Sequence, residues 1–356
     1  MMPKKRKIYL MFVFLLCASF SSALFAADTE NGVSEKEQQP ELLSIIQPFD
    51  KGVYEEEYID ISIGIDLDRV DTIKLFSSEN ERAIIRTEED RDVYHYLFKF
   101  PFGEHSIRAE AYKNGKRVAI RKVKIYRRSF LSKYYKVIPP GFEKRFFHTK
   151  KYEQKCDLCH DMSVNEEKGV AFYDISESNC FDCHQSLLYK KFAHAPTVNF
   201  VCLPCHNGKT GIKNRKYKGK SRFLYPDPIG DTCFKCHKKN HKKWGDRKNM
   251  HDPVGAGKCN LCHNPHSSDV NKNFLRMKVW NLCTSCHADK RSKRKFMAIF
   301  KSRELGGAKV QKRFLRGDFD CIDCHDPHAS DRPYLLRENY KGLENVCLVI
   351  SEGGGG

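Results

Sequence analysis

Strict alternation of apolar and polar positions is confined to the first third of the chain. Ile59, Ile61, Ile63 and Ile65 are spaced by polar or small neighbours. Ile73 and Leu75 follow, then Tyr94, Tyr96, Phe98 and Phe100, then Ile107, Ala109 and Ala111, and finally Val118, Ile120, Val123 and Ile125. A period of two over short runs predicts half-buried β-strands. Asn114-Gly115 lies between two of the runs and is a strong hairpin signal. Some seven strands in about ninety residues predict an antiparallel β-sandwich of immunoglobulin-like size over residues 41–128. No Cys-Trp-Cys pattern accompanies them, so the label rests on strand number and length.

Beyond residue 128 the alternation fades. The segment 128–141, with its Pro139-Pro140-Gly141 turn, reads as a junction. Residues 129–356 read as a second, loop-rich domain of mainly short helices. At the other end, Lys4, Lys5, Arg6 and Lys7 precede an apolar run over 8–20 and a small-residue stretch over 21–27. This is the layout of a secretory signal, with cleavage expected after Ala26 and a linker over 27–40. An uncleaved anchor is the alternative, since the uncharged stretch 8–27 approaches the about 20 residues that a span requires. No later stretch is long and apolar enough to cross a bilayer, so no transmembrane span is expected after cleavage.

The chain holds 16 cysteines and 15 histidines in 356 residues. Fourteen of the cysteines form a repeating pattern in the second domain, where Cys-x-x-Cys-His occurs seven times. The motifs are Cys156/Cys159/His160, Cys180/Cys183/His184, Cys202/Cys205/His206, Cys233/Cys236/His237, Cys259/Cys262/His263, Cys283/Cys286/His287 and Cys321/Cys324/His325. On one helical turn, residues i, i+3 and i+4 share a face. Two thiols so placed can add to the two vinyl groups of one porphyrin, and the adjacent histidine then reaches the iron as proximal ligand. Zinc also uses Cys-x-x-Cys pairs, but it does not require a histidine directly after each one. Export also disfavours clusters of reduced thiolates. Seven covalent c-type haems are therefore expected.

With these motifs, the chain resembles the multihaem c-type cytochromes built from doubled Cys-x-x-Cys-His units. The resemblance spans residues 148–347 and is most specific from His251 through Cys259-Asn260-Leu261-Cys262-His263-Asn264-Pro265-His266 to Cys283-Thr284-Ser285-Cys286-His287. It implies an electron carrier of the periplasm or cell exterior, with closely packed, mostly bis-histidine haems.

The motifs also form an internal repeat. His148, His194 and His251 each stand eight residues before a first cysteine, at Cys156, Cys202 and Cys259, and a second motif follows 24, 31 and 24 residues later. Cys321 opens a fourth unit, in which Asp326-Pro327-His328-Ala329 repeats Asn264-Pro265-His266-Ser267. Its second motif is due at Cys347, but Ile350 and Ser351 stand where cysteine and histidine belong, which reads as a degenerate eighth site. Besides the seven proximal histidines, the second domain offers His148, His194, His241, His251, His266 and His328 as distal ligands, six for seven haems. The seventh ligand stays open. It could be Met162 or Met250, or His95 or His105 from the β-domain, where an ordinary strand role is expected. It could have been lost with the fourth unit, where Arg313 replaces the expected histidine, or the site could be open.

The formal charge of +18 would suit nucleic acid. Loss of the signal leaves about +14, and the propionates of seven haems would bring the total to between roughly neutral and about +7. Lysine and arginine then read as counter-charge, and no nucleic-acid partner is expected. Motifs only tens of residues apart leave too little chain to bury each haem in its own core. The haems must pack against one another, forming the core and a path for electrons. The expected function is electron transfer in anaerobic respiration or extracellular electron transfer rather than enzymatic turnover. The alternative is a reductase of a small oxyanion or nitrogen compound at the haem lacking a distal histidine. Expected partners are redox proteins, among them other multihaem cytochromes. The basic stretch 209–222 and Lys238, Lys239, Lys242 and Lys243 are candidates to dock an acidic partner, or are solvated charge near propionates. The β-domain is a candidate surface for self-assembly.

Overall fold

The period-two runs form strands because each places branched or aromatic side chains on one face of a pleated ribbon. The computed structural model describes residues 41–134, 137–154, 156–167, 169–210, 212–290 and 320–337. The expected signal, the linker, Arg313 and Cys347 lie outside the described residues. The described residues fall in one compact unit, Pro40–Gly356.

Eight strands occupy the N-terminal part of the described chain: β1 Leu43–Gln47, β2 Gly52–Tyr54, β3 Tyr58–Ile65, β4 Thr72–Ser77, β5 Asn80–Arg86, β6 Val93–Lys99, β7 Gly103–Lys113 and β8 Lys116–Arg127. They make a three-stranded sheet, ordered β1-β3-β6, and a five-stranded sheet, ordered β2-β8-β7-β4-β5. Pairing is antiparallel except between β2 and β8, which run parallel. Alternation predicted neither β1 and β2, which are short, nor β5, whose side chains are mostly exposed.

Ile59, Ile61 and Ile63 of β3, Tyr94 and Phe98 of β6, Ile73 and Leu75 of β4, Ile107, Ala109 and Ala111 of β7, and Val123 and Ile125 of β8 form one buried cluster. In β8 the apolar parity switches. Val123 and Ile125 are buried, whereas Val118 and Ile120 are exposed; pairing with β7 is unbroken from Ala119 to Arg127, so the apolar residues themselves change face between Ile120 and Val123. Asn114 and Gly115 form the expected turn, both at positive φ, where Gly115 pays no Cβ penalty.

From residue 129 onward, the described chain is loop-rich and poor in helix. Its longest helix is Lys238–Gly245, and most others span one turn. Two-residue strands recur there. Phe192–Ala193 pairs with Ser267–Ser268, and Asn249–Met250 pairs with Ala329–Ser330. Among the described residues, no helix is long and apolar enough to cross a membrane.

The β-strands contact the loop-rich part through polar and aromatic groups. Glu55 is 8% exposed and holds Arg128 at 2.8 Å and Lys144 at 2.8 Å. Glu57 bridges Lys99 at 3.0 Å and Lys190 at 3.2 Å. Tyr58 meets Tyr189 edge to face.

Candidate functional site

Each motif is a single helical turn. In all seven, the histidine amide donates to the carbonyl of the first cysteine, at 2.8–3.1 Å. This i to i+4 bond sets both thiols and the imidazole on one side of the turn, as thioether attachment to a porphyrin edge requires. None of the fourteen motif cysteines is tied up in a disulfide.

Cys324 departs from the exposure that an attachment thiol is expected to have. It is 7% exposed and packs as a core residue, whereas the other thirteen motif cysteines are half-buried or exposed. A segment returns over the Cys321–Cys324 turn, as one also does over Cys259–Cys262, where His263 bridges to Leu275 and the Arg276 amide donates to the Cys262 carbonyl at 2.9 Å. His325 bridges to Leu336, and the Arg337 amide donates to the Cys324 carbonyl at 2.8 Å. The Arg337 guanidinium also donates to the Ile322 carbonyl at 2.6 Å. Two of the groups that close over this turn, Leu336 and Cys324 itself, are buried together. Sequence spacing could not show this cover, because it is laid down by residues beyond the motif.

The chain brings histidines from distant segments to face these turns. The facing pairs are His148 and His184 at 6.0 Å between ring centres, His206 and His266 at 5.8 Å, His194 and His237 at 6.3 Å, His263 and His328 at 6.1 Å, and His251 and His287 at 6.2 Å. Rings this far apart do not touch. Two trans metal–imidazole bonds of about 2 Å each place the ring centres roughly 6 Å apart, so the gaps suit an iron held between two imidazoles. A sixth pair joins one of the alternatives left open for the seventh ligand: His95 of β6 faces His160 at 6.1 Å.

The pairs follow a rule. The histidine eight residues ahead of a unit faces the second motif of that unit: His148 with His184, His194 with His237, His251 with His287. The histidine closing an x-Pro-His segment faces the first motif of the preceding unit: His266 with His206, His328 with His263. For His160 the rule points to position 209, which holds Lys209 after Gly208.

Hydrogen bonds at Nδ1 fix how these rings point. A carbonyl oxygen only accepts, so a ring nitrogen bonded to one carries the proton, and the opposite Nε2 keeps the lone pair that binds metal. His206, His263 and His325 donate from Nδ1 to the carbonyls of Phe223, Asn273 and Tyr334. His194 and His251 donate to the carbonyls of Pro265 and Pro327, at 2.9 and 3.0 Å. His148 uses a carboxylate instead, Glu153 Oε1 at 3.1 Å, which Arg222 also binds at 2.8 Å. Such outer partners orient a ligand and raise its basicity.

Burial keeps several of these rings neutral, the form that binds metal. It pushes His184 down to about 4 and His266 to about 3, with neighbouring histidines adding to the effect. It also lowers His148, against the raising effect of Glu153.

Successive motifs touch in sequence order. Cys180 and Cys202, Cys233 and Cys259, and Cys283 and Cys321 stand near enough to shift one another's thiols. Cys156 lies within electrostatic range of Cys183, Cys205 of Cys236, and Cys262 of Cys283. Among the described residues, no group of three or more His, Cys, Asp or Glu is set to hold a metal ion, so the thiols are not gathered into the four-ligand set of structural zinc.

Three histidines stand outside the pairs. The candidate distal residue His241 stacks on Phe234 at 4.2 Å. His105 donates from Nε2 to the Pro101 carbonyl and packs on Phe100. No histidine ring among the described residues faces His325.

The family described as "Doubled CXXCH motif" matches residues 251–292 and 314–348. A protein named "Multiheme cytochrome MtrA" from Shewanella baltica (strain OS185) is 27% identical over 151 residues, or 38% of this chain and 43% of that protein. The chain thus spans less than half the length of this relative. Solved structures are similar over small shares only. The fibronectin(III)-like modules of Clostridium thermocellum CbhA give a TM-score of 0.21 at 18% identity, covering 24% of this chain and 97% of theirs. The endo-beta-1,4-mannanase from Thermotoga petrophila gives 0.22 at 15% identity, covering 27% of this chain and 21% of its own. Scores this low carry no argument about the fold. Over these segments the chain is similar to multihaem c-type cytochromes built from doubled Cys-x-x-Cys-His motifs.

Proposed function

We propose that the chain carries electrons along seven covalently attached haems, one on each motif, in the order of the sequence. The observation that carries this reading is the unbroken succession of neighbouring motifs from Cys156 to Cys321, with facing histidine pairs along it. Iron centres so spaced need no mobile carrier between them. The chain's own residues set each potential through axial ligation, hydrogen bonds to the ligands and exclusion of water. Haem faces supply much of the core of residues 129–356, whereas the two β-sheets of residues 41–128 close as an immunoglobulin-like sandwich around their own cluster.

In this reading residues 1–26 are an export signal and 27–40 a linker. The mature protein works in the periplasm or at the cell surface, in anaerobic respiration or extracellular electron transfer, and its partners are other redox proteins. The S. baltica protein carries "Multiheme cytochrome" in its name, which supports the assignment by similarity. The test is the intact mass of the purified protein, with a reductive titration. Seven haem additions and uptake of about seven electrons are expected. Fewer haems, or haems that cannot equilibrate with one another, would overturn it.

A second reading draws on His325, which no histidine ring among the described residues faces. A haem there with an open sixth position would bind nitrite, sulfite or cyanide and could act as a reductase centre.

A further inference from the structure

We propose that His95 of strand β6 is the distal ligand of the first haem, the one attached at Cys156 and Cys159, so that the β-sheet region is ligated directly to the haem chain. The inference rests on the multihaem reading and names a ligand for which the repeat makes no provision. Where the repeat would supply a histidine to His160, Gly208 takes a positive φ of 73°, and the next residue is Lys209. Any ligand for this iron must therefore come from outside the repeat.

The β-sheet presents one. In β3 and β6 the residues facing the core are Ile59, Ile61, Ile63, Tyr94 and Phe98, which leaves Asp60, Ser62 and His95 on the opposite face. Ser62 lies directly across from His95 in the sheet register. His95 Nδ1 is 3.1 Å from Asp60 Oδ2 and 3.0 Å from Ser62 Oγ, and the Ser62 hydroxyl donates to the same carboxylate. The carboxylate draws the ring proton to Nδ1 and leaves Nε2 as a basic donor. The rings of His95 and His160 are 6.1 Å apart, within the span of the five repeat-derived pairs, but their planes cross at 78° where the others lie at 10–35°. Crossed imidazole planes leave two iron d-orbitals nearly degenerate, so this haem should give a strongly anisotropic low-spin EPR signal.

The experiment is low-temperature EPR of the oxidised, fully haem-loaded chain and its His95→Ala and His95→Met variants, with His105→Ala as control. With haem number unchanged by mass, H95A should lose the anisotropic signal and gain one high-spin ferric haem per chain that binds cyanide. H95M should stay low-spin, with a raised potential for one haem. H105A should match the parent. If H95A shows no added high-spin haem while its haem number is intact, the inference fails and the electron-carrier reading stands. If haem number itself falls short in the parent, the broader reading fails first. Should H95A not fold, H95M decides, since a spectrum and potentials identical to the parent exclude His95 as ligand.

Discussion

The backbone amide of His194 donates to the carbonyl of His266 at 2.8 Å, although the two rings face different partners, His237 and His206. The same bond recurs one unit on, from His251 to His328 at 2.9 Å, with rings facing His287 and His263. The short strands leading into His194 and His251 pair with those leading out of His266 and His328. In the proposed reading these are ligands of adjacent haems that share one backbone clamp, and a change at one site should be felt at the next.

Replacing His266 by alanine should therefore disturb two haems. The site of His206 should become high-spin, and the potential of the His237 site should shift as the clamp on His194 loosens. His328→Ala should act alike on the sites of His263 and His287. EPR with a redox titration reads both effects, and a change confined to one haem would show that the clamp carries no coupling.

Glu153 is buried and accepts from both His148 Nδ1 and Arg222. Its carboxylate makes the imidazole more electron-rich, which favours ferric iron. Glu153→Gln should raise the potential of the His184 site by tens of millivolts, about 59 mV for each tenfold change in ferric preference. A spectroelectrochemical titration that shows no haem moved would remove Glu153 from this role.

Glu55 joins Arg128 and Lys144, and its side chain is as buried as that of Arg128. Removing one partner strands a charge, at a cost of about 3–5 kcal/mol. Glu55→Gln should lower the stability of the β-region by that order, measured by urea unfolding followed by circular dichroism. A loss near zero would mean that water replaces the carboxylate.

Glu57 gives a pH dependence. Burial alone would raise its carboxyl, but hydrogen bonds from Lys99 and Lys190 outweigh that and hold it below its ordinary value of 4.5. The bridge is fully formed above that ordinary value and is lost as pH falls through the lowered folded value. Solvent screening keeps it to about 0.2–1 kcal/mol. Thermal melting between pH 7 and pH 3 should show this increment vanish on acidification, and Glu57→Gln should remove it at pH 7 without changing the melt at pH 3.

Some features were local enough to read along the chain. The spacing of two cysteines and a histidine is the geometry of one helical turn, and the i to i+4 bond at each motif follows from it. Alternation at Ile59–Ile65 likewise marks a core-facing strand, since successive side chains point to opposite faces. Alternation could not reveal β5, whose side chains lack a buried face, nor which apolar set of β8 faces the core, since only packing puts Val123 and Ile125 inside and Ile120 outside. Nor could motif spacing show that Cys324 is covered, since Leu336 and Arg337 reach it from outside the turn.

The sequence by itself determined how many Cys-x-x-Cys-His turns exist and where the thiols and imidazole of each stand, because these lie within five residues of one another. Tertiary structure alone decided which histidine faces which turn. His95 reads as an ordinary strand residue until β3 and β6 pair, set Asp60 and Ser62 beside it, and the sheet packs so that its ring stands opposite His160. An axial ligand is chosen by distance in space, and spacing along the chain carries that information only where a repeat copies the same packing.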